Sequence, residues 1–493
     1  MKKVLFSAFV AAAFLLVGCN PPVETKISIE PAALSLSISQ MQQLVAVVTP
    51  EGTTAQINWT SSNPEVATVD NYGRVTAIAD GTTIITASAE DCVAGECQVT
   101  VSTPTSFTRK FLIEHFTGDQ CGYCPGGMYA IVERVEESNV PYIWVSHHYG
   151  YNSDEYTISE SSKIGKSLGV SGAPNMALNR TKVSGNSIAF HPGYLSESIE
   201  AKCETTAEAS VVIYHNYDAN TRQLDINVSG YVLDSTVTEY LLSVLVKENR
   251  LVGKQADYEY SWKTATWKEY MHARVARDFV TSHFGDTVVV ENNRYSRDWT
   301  FTLSEKWIAE NCCVVAYLTP LAKKPIINAE QAPVVIGTMG GEQYYPYGIT
   351  EGKGPNTTVA FDSIAYVQLD KNLLEVQLYA SKSIKATTGS AKAVGLVHLN
   401  TEATTLQPGT YSIQEDNAAG SITAGYRVDE QCTLGGSRLV YALSNSLKKG
   451  EIVPAHQWRM QSGTMVVDAN GDIALDFKTY SGTQVTATYI SAQ

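Results

Sequence analysis

Between residues 27 and 101 apolar and polar side chains alternate in short runs: Leu34-Ser35-Leu36-Ser37-Ile38, Val45-Ala46-Val47-Val48 and Thr83-Ile84-Ile85-Thr86, with turn residues between them. A period of two marks strands with one buried face, so the pattern predicts an all-β region. The rhythm changes after the linker Thr103-Pro104-Thr105-Ser106. Apolar strand-like runs at 111–116, 140–146 and 175–178 then alternate with helix-like stretches at 128–138 and 158–168. A β-α-β-α-β series of these lengths predicts a sheet of parallel type with crossovers. From Ala209 the β pattern returns. Residues 224–228 alternate, 241–246 are continuously apolar, and a second sandwich is predicted to about Ile336. After Gly337-Thr338-Met339-Gly340-Gly341 the remainder is also β, with Gln407-Pro408-Gly409 turning into a strand and Asn470-Gly471 as a hairpin signal. The fold class predicted is multidomain and mainly β with one α/β domain.

The chain opens on Lys2-Lys3 and an apolar run over 4–17, which is short for a bilayer span and reads as a targeting signal. Leu16-Val17-Gly18-Cys19 resembles the lipobox of bacterial lipoproteins. The resemblance implies a signal peptide over 1–18, lipidation of Cys19, a tether over 19–26, and the membrane as a partner through that anchor. Asn20 is not the aspartate linked with inner-membrane retention, so the cell outer membrane is expected, on either face. The formal charge of −14 argues against nucleic acid as a partner, since no basic excess is present to displace counterions.

Trp59-Thr60-Ser61-Ser62-Asn63, Val66-Ala67-Thr68-Val69-Asp70, Gly73, Val75-Thr76-Ala77 and Gly81 together resemble the bacterial Ig-like group 2 domain. The resemblance implies an Ig-like β-sandwich over 27–103, with Trp59 as core anchor and a spacer role. In the next region Cys121 and Cys124 follow the first strand and Pro174 enters the third, an arrangement that resembles the thioredoxin fold. A thioredoxin-like α/β domain is therefore expected over 107–206, with Pro174 in a cis bond against the cysteine pair. More widely, Glu114-His115-Phe116-Thr117-Gly118, Cys121, Cys124-Pro125, Val246-Lys247-Glu248-Asn249, Gln255, residues 272–277 and Ile327-Asn328-Ala329 resemble the 28-kDa outer-membrane-protein-related family of bacterial lipoproteins. That family's name speaks to location and not to activity. A β-sandwich domain over 207–337 and a C-terminal β domain over 338–493 complete the expected series.

The candidate chemistry lies at Cys121 and Cys124, where a strand ends and a helix begins. The first helical turn carries unpaired N–H groups and partial positive charge, both of which favour a thiolate. A thiolate is the nucleophile of disulfide exchange. Cys121 would attack and Cys124 would resolve. A static disulfide is the rival, because an oxidising compartment keeps such a pair closed. Half of a metal site ranks last, as no second Cys-x-x-Cys or paired His completes four ligands. Glu114 and His115 point to opposite faces of their strand, and either could take the resolving proton. Equally, Glu114 could be a surface carboxylate and His115 a packed imidazole. His147-His148 cannot readily share one ion and are expected to be packed or solvated. No cofactor is expected.

Nine cysteines are present, and removing Cys19 leaves eight. Cys92 and Cys97 flank a turn-like Val-Ala-Gly-Glu and predict a local disulfide. Cys203, Cys312, Cys313 and Cys432 are left without assigned pairing. Cys312-Cys313 sits in an apolar strand, either bonded to Cys203 or Cys432 or free and buried. Tyr344-Tyr345-Pro346-Tyr347 suggests glycan or peptide contact, or a linker packed on a neighbouring domain.

Two functions from different classes follow. One is a thiol–disulfide oxidoreductase acting on exported cysteine-containing proteins or a redox partner. The other is a surface interaction or adhesion protein with a non-catalytic thioredoxin-like scaffold, since a fold does not dictate an activity.

Overall fold

The computed structural model describes residues 25–50, 56–183, 187–195, 204–258, 265–342, 347–349, 355, 357–385, 390–429 and 433–491. These form two compact units, divided after Pro104.

The first unit is a β-sandwich. Strands Ala33–Ser37, Gly95–Ser102, Gly81–Ser88 and Asn58–Ser61 form one sheet, and Met41–Gln43, Arg74–Ala77 and Ala67–Val69 another. Gly95–Ser102 alternates buried and exposed along its whole length, as a half-buried strand must. Trp59 is buried and lies against Gly73, whose φ of +84° and closeness to the indole both exclude a side chain. The disulfide expected between Cys92 and Cys97 is absent: both are free. Strand alternation turns Cys97 into the sandwich core, opposite Ile85, whereas Cys92 sits in the bend before Val93, which bridges to Lys26.

In the second unit, strand Phe111–Thr117 leads to helix α1 (Cys124–Glu137), strand Tyr142–His148, helix α2 (Ser159–Leu168) and strand Asn175–Leu178. Phe111–Thr117 pairs in parallel with Tyr142–His148 and antiparallel with Asn175–Leu178. Helix α1 begins at Cys124, four residues before the expected Met128. Pro125 suits a first helical turn because it needs no N–H partner there. Gly127, a poor helix former, is held by packing: a Cβ there would fall 2.5 Å from Pro174 Cβ.

The segments expected as separate domains over 107–206 and 207–337 share one sheet, which continues from Tyr142–His148 through Val275–Phe279, Glu239–Glu248 and Cys312–Thr319 to Asn328–Pro333. Strands Val212–Asp218, Gln223–Tyr231 and Arg294–Thr302 form a three-stranded sheet packed on its far half, where Ile213, Leu224, Ile226, Val244, Val246 and Val314 share a core. The hairpin Leu251–Asp257 and Ala265–His272 leaves the 207–337 segment and joins the large sheet of the C-terminal region. That sheet packs on α1: Tyr129, Ile131, Val132 and Val135 share a core with Leu439, Trp458 and Met460, and the Tyr129 hydroxyl donates to the Ala455 carbonyl at 3.0 Å. Helix α1 is thereby covered on both faces.

Replacing Gly127 by Ala tests this packing. The gain in helix propensity, about 1 kcal/mol, is outweighed by overpacking against the Pro174 ring, and a net loss of about 1–3 kcal/mol is expected in urea unfolding of the full chain. Gly172→Ala, with nothing within 4 Å of the added carbon, should change stability by less than about 0.5 kcal/mol.

Candidate functional site

Cys124 opens α1, Tyr123 is its N-cap, and Cys121 lies one turn earlier. The Cys124 N–H donates to the Cys121 carbonyl at 3.1 Å, and the Gly127 N–H to the Tyr123 carbonyl at 3.0 Å. The two cysteines are joined in a disulfide with their Cα atoms 5.4 Å apart. The Ala173–Pro174 bond is cis, and Pro174 rests on α1 at Gly127. Cysteine pair, helix start and Pro174 thus meet in one place. Cys124 is the first helical residue, so the helix start lies at the second cysteine and not at Cys121, the expected nucleophile.

The pair is sealed. Cys121 is 2% exposed and Cys124 is 1% exposed. The cover is the segment ending the Leu251–Asp257 strand. Gln255 Nε2 donates to the carbonyls of Gly118 at 3.2 Å and Cys121 at 3.1 Å. The N–H of Ala256 donates to the Asp119 carbonyl at 2.6 Å, and that of Tyr258 to the Gly122 carbonyl at 2.7 Å. The Tyr258 ring lies on Gly122 so closely that a Cβ there would sit 2.4 Å from it, and the Tyr123 ring meets it edge-on at 5.3 Å. Three backbone and side-chain donors therefore bind the loop that carries the cysteines.

Behind Cys124 is a cavity of about 30 Å³ bordered by His115, Ser146, His148, Gln255 and His272, which is room for one water molecule. Among the described residues, His115 Nε2 and His148 Nε2 have no hydrogen-bond partner. His148 Nδ1 lies 2.6 Å from Asp154 Oδ2. Burial, then the neighbouring His148, His147 and Arg274, push the His115 imidazolium down to about 3. Burial, with His148 beside it, takes His272 down to about 3 as well, despite its 3.0 Å hydrogen bond to the Lys254 carbonyl. Both rings are neutral at physiological pH and are weak proton acceptors.

Glu114 is not a surface carboxylate. It is fully buried and forked by Arg180, with Nε to Oε2 at 2.9 Å and Nη2 to Oε1 at 2.8 Å. Burial alone would raise its pKa, but the Arg180 guanidinium, with His147 at 3.6 Å, overrides this and holds the carboxyl at about 2. It faces away from the cavity and is already paired, so it is no acceptor for a cysteine proton. His147 stacks on Phe116 and its Nδ1 lies 2.8 Å from Ser161 Oγ, so His147 and His148 are both packed, on opposite faces.

Cys312 and Cys313 are free and buried. Burial pushes both thiols up, that of Cys313 to about 12. Several residues that carried the lipoprotein resemblance prove to be a buried polar network. Lys247 Nζ meets the Trp144 carbonyl, Gln331 and Glu342, all within 2.8 Å, and Asn249 receives the Arg274 N–H and donates to the Gly340 carbonyl. Cys19, Cys203, Cys432, Tyr344, Tyr345 and Pro346 lie outside the described residues. Among the described residues no group of His, Cys, Asp and Glu is arranged to hold a metal ion.

The contacts by Gln255 and Tyr258 were not foreseen. One signal of full burial was available: from Cys124 to Val132 helix α1 has no charged residue, and a helix apolar all round is a buried one.

Residues 161–337 match the family of outer membrane protein Omp28, and residues 23–101 match the bacterial Ig-like domain, group 2. The chain therefore carries an Omp28-related region and a group 2 Ig-like domain. A lacto-N-biosidase of Bifidobacterium bifidum is 39% identical over 70 residues, which is 14% of this chain and 6% of that protein. Among solved structures, HBP35 of Porphyromonas gingivalis is similar over 59% of this chain and 96% of its own, at 18% identity and a TM-score of 0.40. A domain of the outer membrane lipoprotein Omp28 from the same organism is similar over 26% of this chain and 87% of its own, at 14% identity and a TM-score of 0.18. At these TM-scores the likeness fixes neither fold nor activity.

The electrostatics predict acid sensitivity. Neutral, buried His115 and His272 bind no proton until about pH 3, whereas the unfolded chain protonates them near 6.5. Stability should therefore be full above about pH 6.5 and fall as pH drops toward 3, by up to about 1.4 kcal/mol per pH unit for each ring. Glu114 adds a further loss between about pH 4.5 and 2. Urea unfolding across this range should show a shallower fall for His115→Gln.

Proposed function

We propose that the protein is an outer-membrane surface protein that works by contact, with the Ig-like domain as spacer and the first part of the second unit as a thioredoxin-like scaffold. Its Cys121–Cys124 bond serves as a crosslink. The observation that carries this reading is the sealing of both cysteines beneath Gln255 and Tyr258. Exchange needs a thiolate to reach a disulfide sulfur, and a buried sulfur offers no approach. The parallel and antiparallel partners of Phe111–Thr117, and Pro174 against α1, support the thioredoxin-like description. The Omp28-related region supports the location, and the Leu16-Val17-Gly18-Cys19 motif supports anchoring through Cys19.

One arrangement favours the second reading, an oxidoreductase acting on exported proteins with Cys121 as nucleophile: the pair lies at a helix start packed on Pro174, with a polar cavity beside Cys124. That activity would need the 255–258 segment to withdraw.

The test is thiol exchange by the mature chain. The contact reading expects dithiothreitol to open Cys121–Cys124 in urea but not in the native protein, and expects no catalysed reduction of insulin. Replacing both cysteines by Ala should cost about 2 kcal/mol, the entropy of so short a closed loop, without loss of fold. Insulin reduction by the wild type that vanishes in Cys121→Ser would reject this reading. Activity that appears only in Tyr258→Ala would favour the gated oxidoreductase.

A further inference from the structure

The C-terminal sheet carries a cleft of about 910 Å³, far from small in comparison with the cavity at Cys124 and within the size range of ligand sites. Two tyrosines stand on its border with their rings open. Tyr426 is 51% exposed and Tyr480 is 37% exposed. Each is held against a neighbour. Tyr426 lies directly on Gly435, where a Cβ would fall 2.5 Å from the ring, and the Arg459 guanidinium stacks on Tyr480 at 4.5 Å. Rings held in this way lose little freedom when a ligand settles on them.

The rest of the lining is largely polar and pre-set. Asn400 Nδ2 donates to Thr423 Oγ1 at 2.9 Å, and Thr423 Oγ1 donates to Asn417 Oδ1 at 3.0 Å. The chain of bonds leaves the Asn417 amide N–H groups free of that task. The charged residues lining the cleft are Asp370, Glu402 and Glu415, and among the described lining residues there is no Lys or Arg. Lys371, between the lining residues Asp370 and Asn372 in sequence, comes only to 3.9 Å from Glu402.

We propose that this cleft binds a neutral oligosaccharide, with sugar rings stacked on Tyr426 and Tyr480 and hydroxyls held by the carboxylates and amides of the wall. A tyrosine face is electron-rich and attracts the polarised C–H groups of a pyranose ring. Carboxylates and amides accept from sugar hydroxyls, and Asn417 can donate to them. The acidic lining repels uronates, phosphates and nucleic acids. A basic peptide would suit the carboxylates but would leave the aligned amides and flat rings without a purpose. The proposal deepens the contact reading, yet it does not depend on the state of the disulfide, which its test leaves untouched.

The test is calorimetric titration of the mature chain with cellotetraose, maltotetraose, mannotetraose and tetra-N-acetylchitotetraose, beside tetragalacturonate and tetralysine. At least one neutral tetraose should bind, and tetragalacturonate should not. Tyr426→Ala and Tyr480→Ala should each weaken binding by about tenfold, the value of one aromatic stacking contact. Tyr426→Phe should retain it, which separates a lost ring from a lost fold, and Tyr194→Ala, remote and exposed, should change nothing. Failure of all four neutral tetraoses to bind would overturn the proposal. So would binding that survives both tyrosine-to-alanine changes, or a preference for tetralysine.

Discussion

The burial of helix α1 on both faces is the constraint on which the second unit depends. Tyr129, Ile131, Val132 and Val135 share a core with Trp144, Met176 and Leu178 of the first sheet and with Leu439, Trp458 and Met460 of the C-terminal sheet. A fully buried side chain of this size gains about 1.5–3 kcal/mol over exposure, so these four alone outweigh any single polar contact nearby. Because the helix is the middle layer, whatever sits at its first turn is enclosed as well. The sealing of Cys121 and Cys124 is a consequence of this layering, completed by Gln255 and Tyr258.

Enclosure forces every charge within the layers to be paired. Glu114 and Arg180 lie fully buried with Tyr317 as a third member, at 2.8 Å from Arg180. Lys247 is likewise fully buried and meets Glu342 at 2.7 Å. Such pairs contribute little net stability against an apolar replacement, whereas loss of one partner costs about 3–5 kcal/mol. They link strands far apart in sequence: Glu114 to Arg180 and Tyr317, Lys247 to Trp144 and Gln331. Any sliding of one strand past another would strand a charge, so the network fixes register across the sheet.

These long-range links explain what could be read from the chain and what could not. The Asn175–Leu178 strand, the α2 stretch and the alternation at 224–228 were visible because each depends on local pattern and turn chemistry. Trp59 as a core anchor was visible through the Ig-like resemblance, whereas the seat of its ring on Gly73 depends on tertiary packing. The start of α1 was missed because Gly126-Gly127 breaks helical propensity, and tertiary packing against Pro174 overrides propensity there. The sharing of one sheet across residue 206, and the departure of hairpin 251–272 to another sheet, depend on non-local pairing that carries no signature in a window of residues. The Cys92–Cys97 expectation failed for a local reason: spacing was suitable, but strand alternation aimed one sulfur into the core.

The strand–helix junction also shows how two local effects must be weighed before reactivity is assigned to a cysteine. A helix N-terminus stabilises a thiolate by about 0.3–1 kcal/mol, and about 2 in favourable cases. Removing an ion from water costs several kcal/mol even after relaxation. The second effect wins wherever the sulfur is enclosed. Within this same chain, Cys313 shows it: Lys247 is near enough to lower that thiol, yet burial still takes it to about 12. A reduced Cys121 beneath Tyr258 would face the same desolvation without a lysine to offset it, so position at a helix start confers no nucleophilicity while the cover is in place. Reactivity there is a property of the 255–258 segment more than of the Cys-x-x-Cys sequence.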